Sequence, residues 1–206
     1  MSLVLTAEEI RVLGVLIEKD MATPEYYPLS LNALTNGCNQ KSNRDPMVNY
    51  DEDTVQSVLD SLKSKQLIMV HSGARVTKYG HRASELLNIN NRELAVICVL
   101  LLRGAQTLNE IKTRTQSLHE FDDLQSVEVV LRRLEERGMT AFIERQAGMR
   151  EPRWTHLFAG EPLLPAAQPE AVHQPTHSPL AERVSKLEAE LAELREEFAE
   201  FRKQFQ

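Results

Sequence analysis

Hydrophobic positions along the chain switch between two periods, and the switch marks a unit that occurs twice. Val55, Val58, Leu59 and Leu62 follow an i, i+3, i+4, i+7 rule, which puts them on one helical face and leaves the opposite face free. After Lys65 the period shortens. Leu67, Ile68, Met69 and Val70 read as a short buried strand, Ser72 and Gly73 as a turn, and Arg75, Val76, Thr77, Lys78 and Tyr79 as the alternating partner strand. Residues 51–82 therefore predict a presented helix followed by a hairpin wing with a basic return strand. Val127, Val130, Leu131 and Leu134 repeat the stripe 72 residues later, and segments 141–145 and 153–158 repeat the hairpin around a turn at Gly148. Upstream, Glu9, Val12, Leu13, Val15 and Leu16 match Glu93, Val96, Ile97, Val99 and Leu100 at an offset of 84. The two offsets differ by 12, so the first copy carries insertions within residues 21–50.

The segments between these stripes carry boundary signals. Thr6 and Glu9 form a capping box that starts a helix running to about residue 20. Residues 23–28 are a proline-bounded loop containing Tyr26 and Tyr27. Ser30 then caps a short helix with Leu31 and Leu34 facing inward, and Asn36 and Gly37 are expected to end it. Residues 38–46 have no apolar periodicity and many side-chain donors. In the second copy a connector at 83–90 precedes a helix capped by Asn91 and stopped by Gly104, and a short helix follows over 107–115, where Leu108 and Ile111 match Leu31 and Leu34. Asp122 or Asp123 starts the second presented helix, which ends at Gly138.

The C-terminal quarter has a different character. Residues 161–179 hold five of the nine prolines and no periodic pattern, as a linker does. Beyond them Leu180, Val184, Leu187, Leu191, Leu194, Phe198, Phe201 and Phe205 alternate spacings of four and three, which is a coiled-coil seam. With Val184, Leu191, Phe198 and Phe205 at position a, the cross-chain pairs of a parallel dimer are Arg183–Glu188, Glu190–Arg195 and Glu197–Arg202. All three are opposite in sign. The eight seam residues are thus expected to make a parallel homodimer, with a trimer left open by the bulky Phe layers.

Several continuous stretches resemble the YceH-like family of uncharacterised bacterial proteins. They are Tyr27 with Pro28, Leu29, Ser30, Leu31, Asn32, Ala33 and Leu34; Asn39 with Gln40, Lys41, Ser42, Asn43, Arg44, Asp45 and Pro46; the strand from Arg75 to Tyr79; and Leu100, Leu101, Leu102, Arg103 and Gly104. The resemblance covers roughly residues 5–160 and implies a pair of winged-helix domains. The expected fold is mainly α with small β-hairpin wings, as tandem winged-helix domains followed by a C-terminal coiled-coil helix. The expected divisions are winged-helix domains at 1–82 and 91–160, a connector at 83–90, a linker at 161–179 and a coiled coil at 180–206.

Charge and candidate chemistry narrow the function. The chain has 206 residues and a net charge of −6, but residues 1–160 hold 19 Lys and Arg against 21 Asp and Glu. The tail carries most of the excess, so overall acidity does not exclude a nucleic-acid partner. Cys38 and Cys98 cannot build a disulfide framework or a cysteine-rich zinc site. Cys98 is read as core packing. Cys38, in a polar neighbourhood, leaves a lowered thiol pKa conceivable, although no base is evident beside it. The histidines lack metal-site spacing, and there is no phosphate loop or nucleophile elbow. Neither a cofactor nor a metal is expected, and an enzyme is not. The first 20 residues are not a secretory signal and the longest apolar run is too short to span a bilayer, so the expected location is the cytoplasm.

Winged-helix domains commonly place the third helix in a major groove and the wing on flanking backbone. In the first copy Arg75, Lys78, His81 and Arg82 on the wing, with Lys41 and Arg44 in the preceding loop, form one basic surface or else a solvated face balanced by Asp45, Asp51, Glu52 and Asp53. The helix between them is less favourable, because Asp53, Ser57, Asp60 and Ser64 lie opposite its stripe. In the second copy Gln125, Arg132 and Arg133 share the outer helix face with Val129 and Glu136, and arginine and glutamine can donate to base edges. Arg145, Arg150 and Arg153 belong to the second wing, with Trp154 read as core. The expected function is DNA binding, regulatory or structural, by tandem winged helices presented on a coiled-coil dimer. The alternative is a protein-interaction scaffold of the tandem winged-helix type found in chromosome-segregation complexes, for which the acidic helix face and outward Val129 also suit. A third possibility is a regulator whose effector binds between the domains.

Overall fold

A computed structural model describes residues 3–73, 75–145 and 150–160. The expected linker, the coiled-coil seam and the Gly148 turn lie outside the described residues. The described part belongs to one compact unit and is mainly helical with small antiparallel hairpins. Its elements are α1 (Ala7–Ala22), β1 (Leu29–Ser30), α2 (Leu31–Cys38), α3 (Glu52–Ser64), β2 (Ile68–His71), β3 (Lys78–His81), α4 (Ala83–Leu87), α5 (Asn91–Arg103), α6 (Leu108–Thr115), α7 (Leu124–Glu136), β4 (Thr140–Ile143) and β5 (Arg153–His156). Among the described residues no helix is long and apolar enough to cross a membrane.

Local side-chain chemistry sets most helix starts. Thr6 Oγ1 accepts from the Glu9 amide at 3.3 Å, and Thr6 N–H donates to the Glu9 carboxylate at 2.8 Å. Thr107 repeats this reciprocal box with Glu110 at α6, and Ser30, Asp51 and Asp123 cap α2, α3 and α7 with a side-chain oxygen that accepts from the third helical N–H. At α5 the cap is Asn90 rather than Asn91. Asn90 has extended backbone and turns its amide oxygen onto the Arg92 and Glu93 N–H groups, whereas Asn91 is already helical. Gly37 also differs from expectation, since it lies inside α2. A Cβ there would come within 2.7 Å of Val15 Cγ1, so its smallness lets α2 approach α1.

The hairpins follow the expected order, with strand boundaries shifted by one to three residues and an added short strand, β1. β3 is the central strand of a three-stranded sheet, pairing Tyr79 with Leu29 on one side and with Val70 on the other. It begins at Lys78, three residues later than the alternation suggested. Lys78 and Tyr79 pair with both neighbours and Gly80 and His81 with β2 alone; Tyr79, Gly80 and His81 are buried, while Arg75, Val76 and Thr77 stay in the exposed loop. In the second copy β4 pairs with β5, Phe142 opposite Trp154. A single bridge between Gln106 and Trp154 stands where β1 stands in the first.

The two copies pack first helix against first helix. Gly14 of α1 lies against Leu101 and Leu102 of α5, and the Cys98 thiol contacts the Gly14 carbonyl at 3.5 Å. Gly14 and Cys98 are themselves equivalent positions at the offset of 84, so matching points of the two first helices meet. The offset from Leu31 to Leu108 is 77, so it drops from 84 in the loop before α2, and then to 72 in the loop after it. One hydrophobic core runs from Leu5 to Phe158 across both copies.

Candidate nucleic-acid interface

The third helix of each copy buries the expected stripe, Val55, Val58, Leu59 and Leu62 in α3 and Val127, Val130, Leu131 and Leu134 in α7. Each is oriented by a buried glutamate on the first helix of its own copy. The Glu9 carboxylate takes Lys65 Nζ at 2.6 and 2.7 Å and Ser61 Oγ at 2.7 Å. Burial opposes ionisation of Glu9, but the hydrogen bonds from Lys65, Ser61 and Thr6 prevail and hold its pKa below the ordinary 4.5. Glu93 is the equivalent anchor. Arg133 Nε lies 3.2 Å and Arg137 Nη1 4.0 Å from Glu93 Oε1, as electrostatic contacts rather than directed hydrogen bonds. Arg133 and Arg137 stand 72 residues after Ser61 and Lys65. The signal was present in the sequence as a paired correspondence, Glu at one offset and its partners at the other, but only a fold shows that the two offsets meet.

The candidate basic residues separate into two groups. Arg44, expected on the surface, is a correction: its side chain is 0% exposed. Its guanidinium makes a two-pronged contact with Glu18 at 2.9 and 2.6 Å and donates to the carbonyls of Gly37 and Asn43 and to Gln40 Oε1. A loop without apolar residues needs such a core, and Arg44 supplies it for residues 39–46. Asn39 closes the far side by exchanging two 2.7 Å hydrogen bonds with the Tyr50 backbone. His81 is also a correction. It is buried at the end of β3, with Nε2 3.1 Å from Asp20 and Nδ1 accepting from the Ala83 N–H at 3.2 Å, and burial lowers its pKa despite Asp20. Cys38 is buried and its pKa is pushed up to about 12 by that burial, which removes the reactive-thiol possibility. Cys98 is core, as expected.

Arg82 pairs with Glu85 at 2.9 Å. On α7, Arg132 bonds Glu135 at 2.9 Å, neighbours Glu128 at 3.7 Å and stacks over Phe142 and Trp154 at 5.0 and 4.8 Å. Arg153 donates to the Ala105 carbonyl and reaches Glu110 at 3.2 Å. Trp154 is 3% exposed and is core. In contrast Lys41, Arg75, Lys78, Arg145 and Arg150 make no ion pair among the described residues. All are exposed except Lys78, which is half-buried. Gln125 and Val129 stand outward on α7, Val129 being 62% exposed. The outer face of α3 carries exposed Asp53, Ser57, Asp60 and Ser64. Among the described residues no group of three His, Cys, Asp or Glu side chains is placed to hold a metal.

Residues 5–149 match the family described as a protein of unknown function, DUF480. The chain is 46% identical to a UPF0502 protein of Solibacter usitatus over 204 residues, covering 98% of each chain. It is 54% identical to a UPF0502 protein of Pelobacter propionicus over 164 residues, 78% of this chain and 75% of that one. A UPF0502 protein of Geotalea uraniireducens is 51% identical over 191 residues, 89% of this chain and 87% of the relative.

Proposed function

The chain belongs to the DUF480 family of uncharacterised bacterial proteins, and from that premise we propose that each copy is a winged-helix domain and that the two wings bind duplex DNA. The observation that supports this is the position of the cations that make no ion pair among the described residues. Arg75 and Lys78 are on the first hairpin and Arg145 and Arg150 on the second, while Arg44, Arg82, Arg132 and Arg133 are held by carboxylates of the protein itself. Cations aimed outward from two hairpins suit phosphates, which supply affinity without reading sequence. The acids of α3 oppose deep entry of that helix into a groove, so the proposed mode is backbone contact rather than base readout by α3. A parallel dimer through the seam from Leu180 to Phe205 doubles the number of wings and raises avidity without new contacts. The role is regulatory or structural.

The test is fluorescence anisotropy of a labelled random-sequence duplex with the full chain and with the Arg75→Ala/Lys78→Ala variant. Weaker binding by the variant across unrelated duplexes supports wing contact. Equal binding removes the first wing. A second reading, a protein-interaction scaffold, is favoured by Val129 standing 62% exposed on α7, where an apolar side chain suits a protein partner better than phosphates. It predicts a co-purifying protein that Val129→Asp releases, with DNA affinity negligible at low salt.

A further inference from the structure

Near the C-terminal ends of α5 and α6 is a cavity of about 570 Å³, in the size range of small-molecule sites. Val99, Leu102 and Leu118 give it an apolar lining, and Arg103, Arg114 and Ser117 give it a polar one. Glu18 of α1 and Asn43 of the following loop also line it, so its walls come from both copies. Asn43 holds left-handed backbone at φ 62°. Its carbonyl accepts from Arg44 at 2.9 Å, and its side-chain oxygen accepts from Arg103.

Positive charge around this cavity exceeds the carboxylates that answer it. Glu18 is occupied by Arg44, with Lys19 at 3.6 Å. Glu110 is shared between Arg114 at 3.1 Å and Arg153 at 3.2 Å. Arg103 has no carboxylate within ion-pair distance among the described residues. Burial lowers its pKa, and the neighbouring Arg114 and Arg44 add to that effect, against weaker support from Glu18 and Asp45. Helix C-termini attract cations, which accounts for one arginine in the last turn of each helix. Their nearby carbonyls are already engaged, however. Val99 O accepts from Gln106, Leu100 O from Gly104, Leu102 O from Asp45 and Thr115 O from Leu118 and His119. A guanidinium offers five N–H groups, and among the described residues Arg103 makes a single side-chain hydrogen bond, to Asn43.

We propose that this cavity binds a small amphipathic anion, a carboxylate or phosphate monoester on an apolar body, with the anionic group on Arg103 and Arg114 and the body against Val99, Leu102 and Leu118. Such a ligand is held by the second copy, with Glu18 and Asn43 of the first copy bordering it. The site stands independently of DNA binding and can be present whether or not the wings contact a duplex.

Amide-resolved NMR titration of the full chain with octanoate, octyl phosphate and 1-octanol tests it. The expected result is saturable shifts confined to residues lining the cavity with one or both anions, and at least about tenfold weaker binding of the alcohol, the difference a charge-assisted contact makes. The tighter of the two anions identifies the headgroup. Arg103→Gln is expected to weaken anion binding about tenfold and leave the alcohol unchanged, and Ser117→Trp, which fills the cavity from its exposed edge, to abolish all three. No saturable shift with either anion, equal affinity for anion and alcohol, or undiminished binding by Ser117→Trp overturns the proposal, even if Arg103→Gln fails to fold.

Discussion

Replacing Arg44 by methionine removes a guanidinium that makes five hydrogen bonds with no side-chain exposure. What remains is Glu18, 14% exposed, with only Lys19 at 3.6 Å to answer it, and a Gly37 carbonyl without its donor. Breaking a buried pair from one side costs about 3–5 kcal/mol, because the surviving charge stays desolvated. Partial exposure of Glu18 and the Lys19 contact favour the lower end, about 3 kcal/mol, which for a chain of this size lowers Tm by roughly 10 °C. Urea unfolding followed by circular dichroism measures the loss. Glu18→Gln alone should cost a comparable amount, since it leaves Arg44 buried and unpaired. The double variant should cost clearly less than the two together, with a coupling of about 2 kcal/mol. Folded Arg44→Met should bind DNA as the unmodified chain does, because the side chain faces inward. A loss below about 1 kcal/mol, or additivity in the cycle, would refute a buried structural role for Arg44.

Gly14→Val should destabilise the fold by about 1–3 kcal/mol in thermal unfolding, since a Cβ at Gly14 already meets Leu102 Cδ2 at 2.9 Å and Leu101 Cβ at 3.3 Å. Burial pushes the His156 pKa down to about 4, below its ordinary 6.5. The unfolded chain therefore takes up a proton first, and the contribution of His156 is complete above pH 6.5 and lost as pH falls toward 4. His156→Phe should flatten stability over that window, and an unchanged slope would contradict the burial. At lower pH Glu9 behaves in the same sense, its pKa being held below 4.5, so Glu9→Gln should cost stability at neutral pH and less in acid. Cys38 and Cys98 should resist thiol reagents at pH 8 until the protein unfolds, because burial raises both pKa values; rapid labelling of the native chain would contradict it.

Features encoded over a few residues were legible in the sequence. The stripes of α3 and α7, the Thr6–Glu9 box, the Ser30 cap and both hairpins depend on spacings within a turn or a strand, where side-chain chemistry and periodicity act directly. Long-range partners were not. Arg44 lies in a polar loop that reads as solvated, and only the placement of Glu18 by α1 makes it an interior residue. Gly37 beside an asparagine looks like a helix stop, yet its reason is Val15, 22 positions earlier. The start of β3 moved because two neighbouring strands, rather than alternation in one, decide which residues pair. Arg11 is a further case: it is 3% exposed, donates to the Pro46 carbonyl, and its Nε and Nη1 have no partner among the described residues. The candidate interface was legible as a set of basic residues, but not which of them the protein neutralises itself.

The most direct measurement of wing-mediated DNA binding is the salt dependence of duplex affinity for the full chain and for a variant with Arg75, Lys78, Arg145 and Arg150 all replaced by alanine. If each cation neutralises one phosphate, the slope of log K against log salt should flatten by roughly 3 to 4, with affinity falling on every duplex tried and Tm unchanged. An unchanged slope in the variant, or no salt-dependent binding by the unmodified chain at low ionic strength, would contradict DNA binding through the wings and leave the exposed Val129 face of α7 as the surface to test for a protein partner.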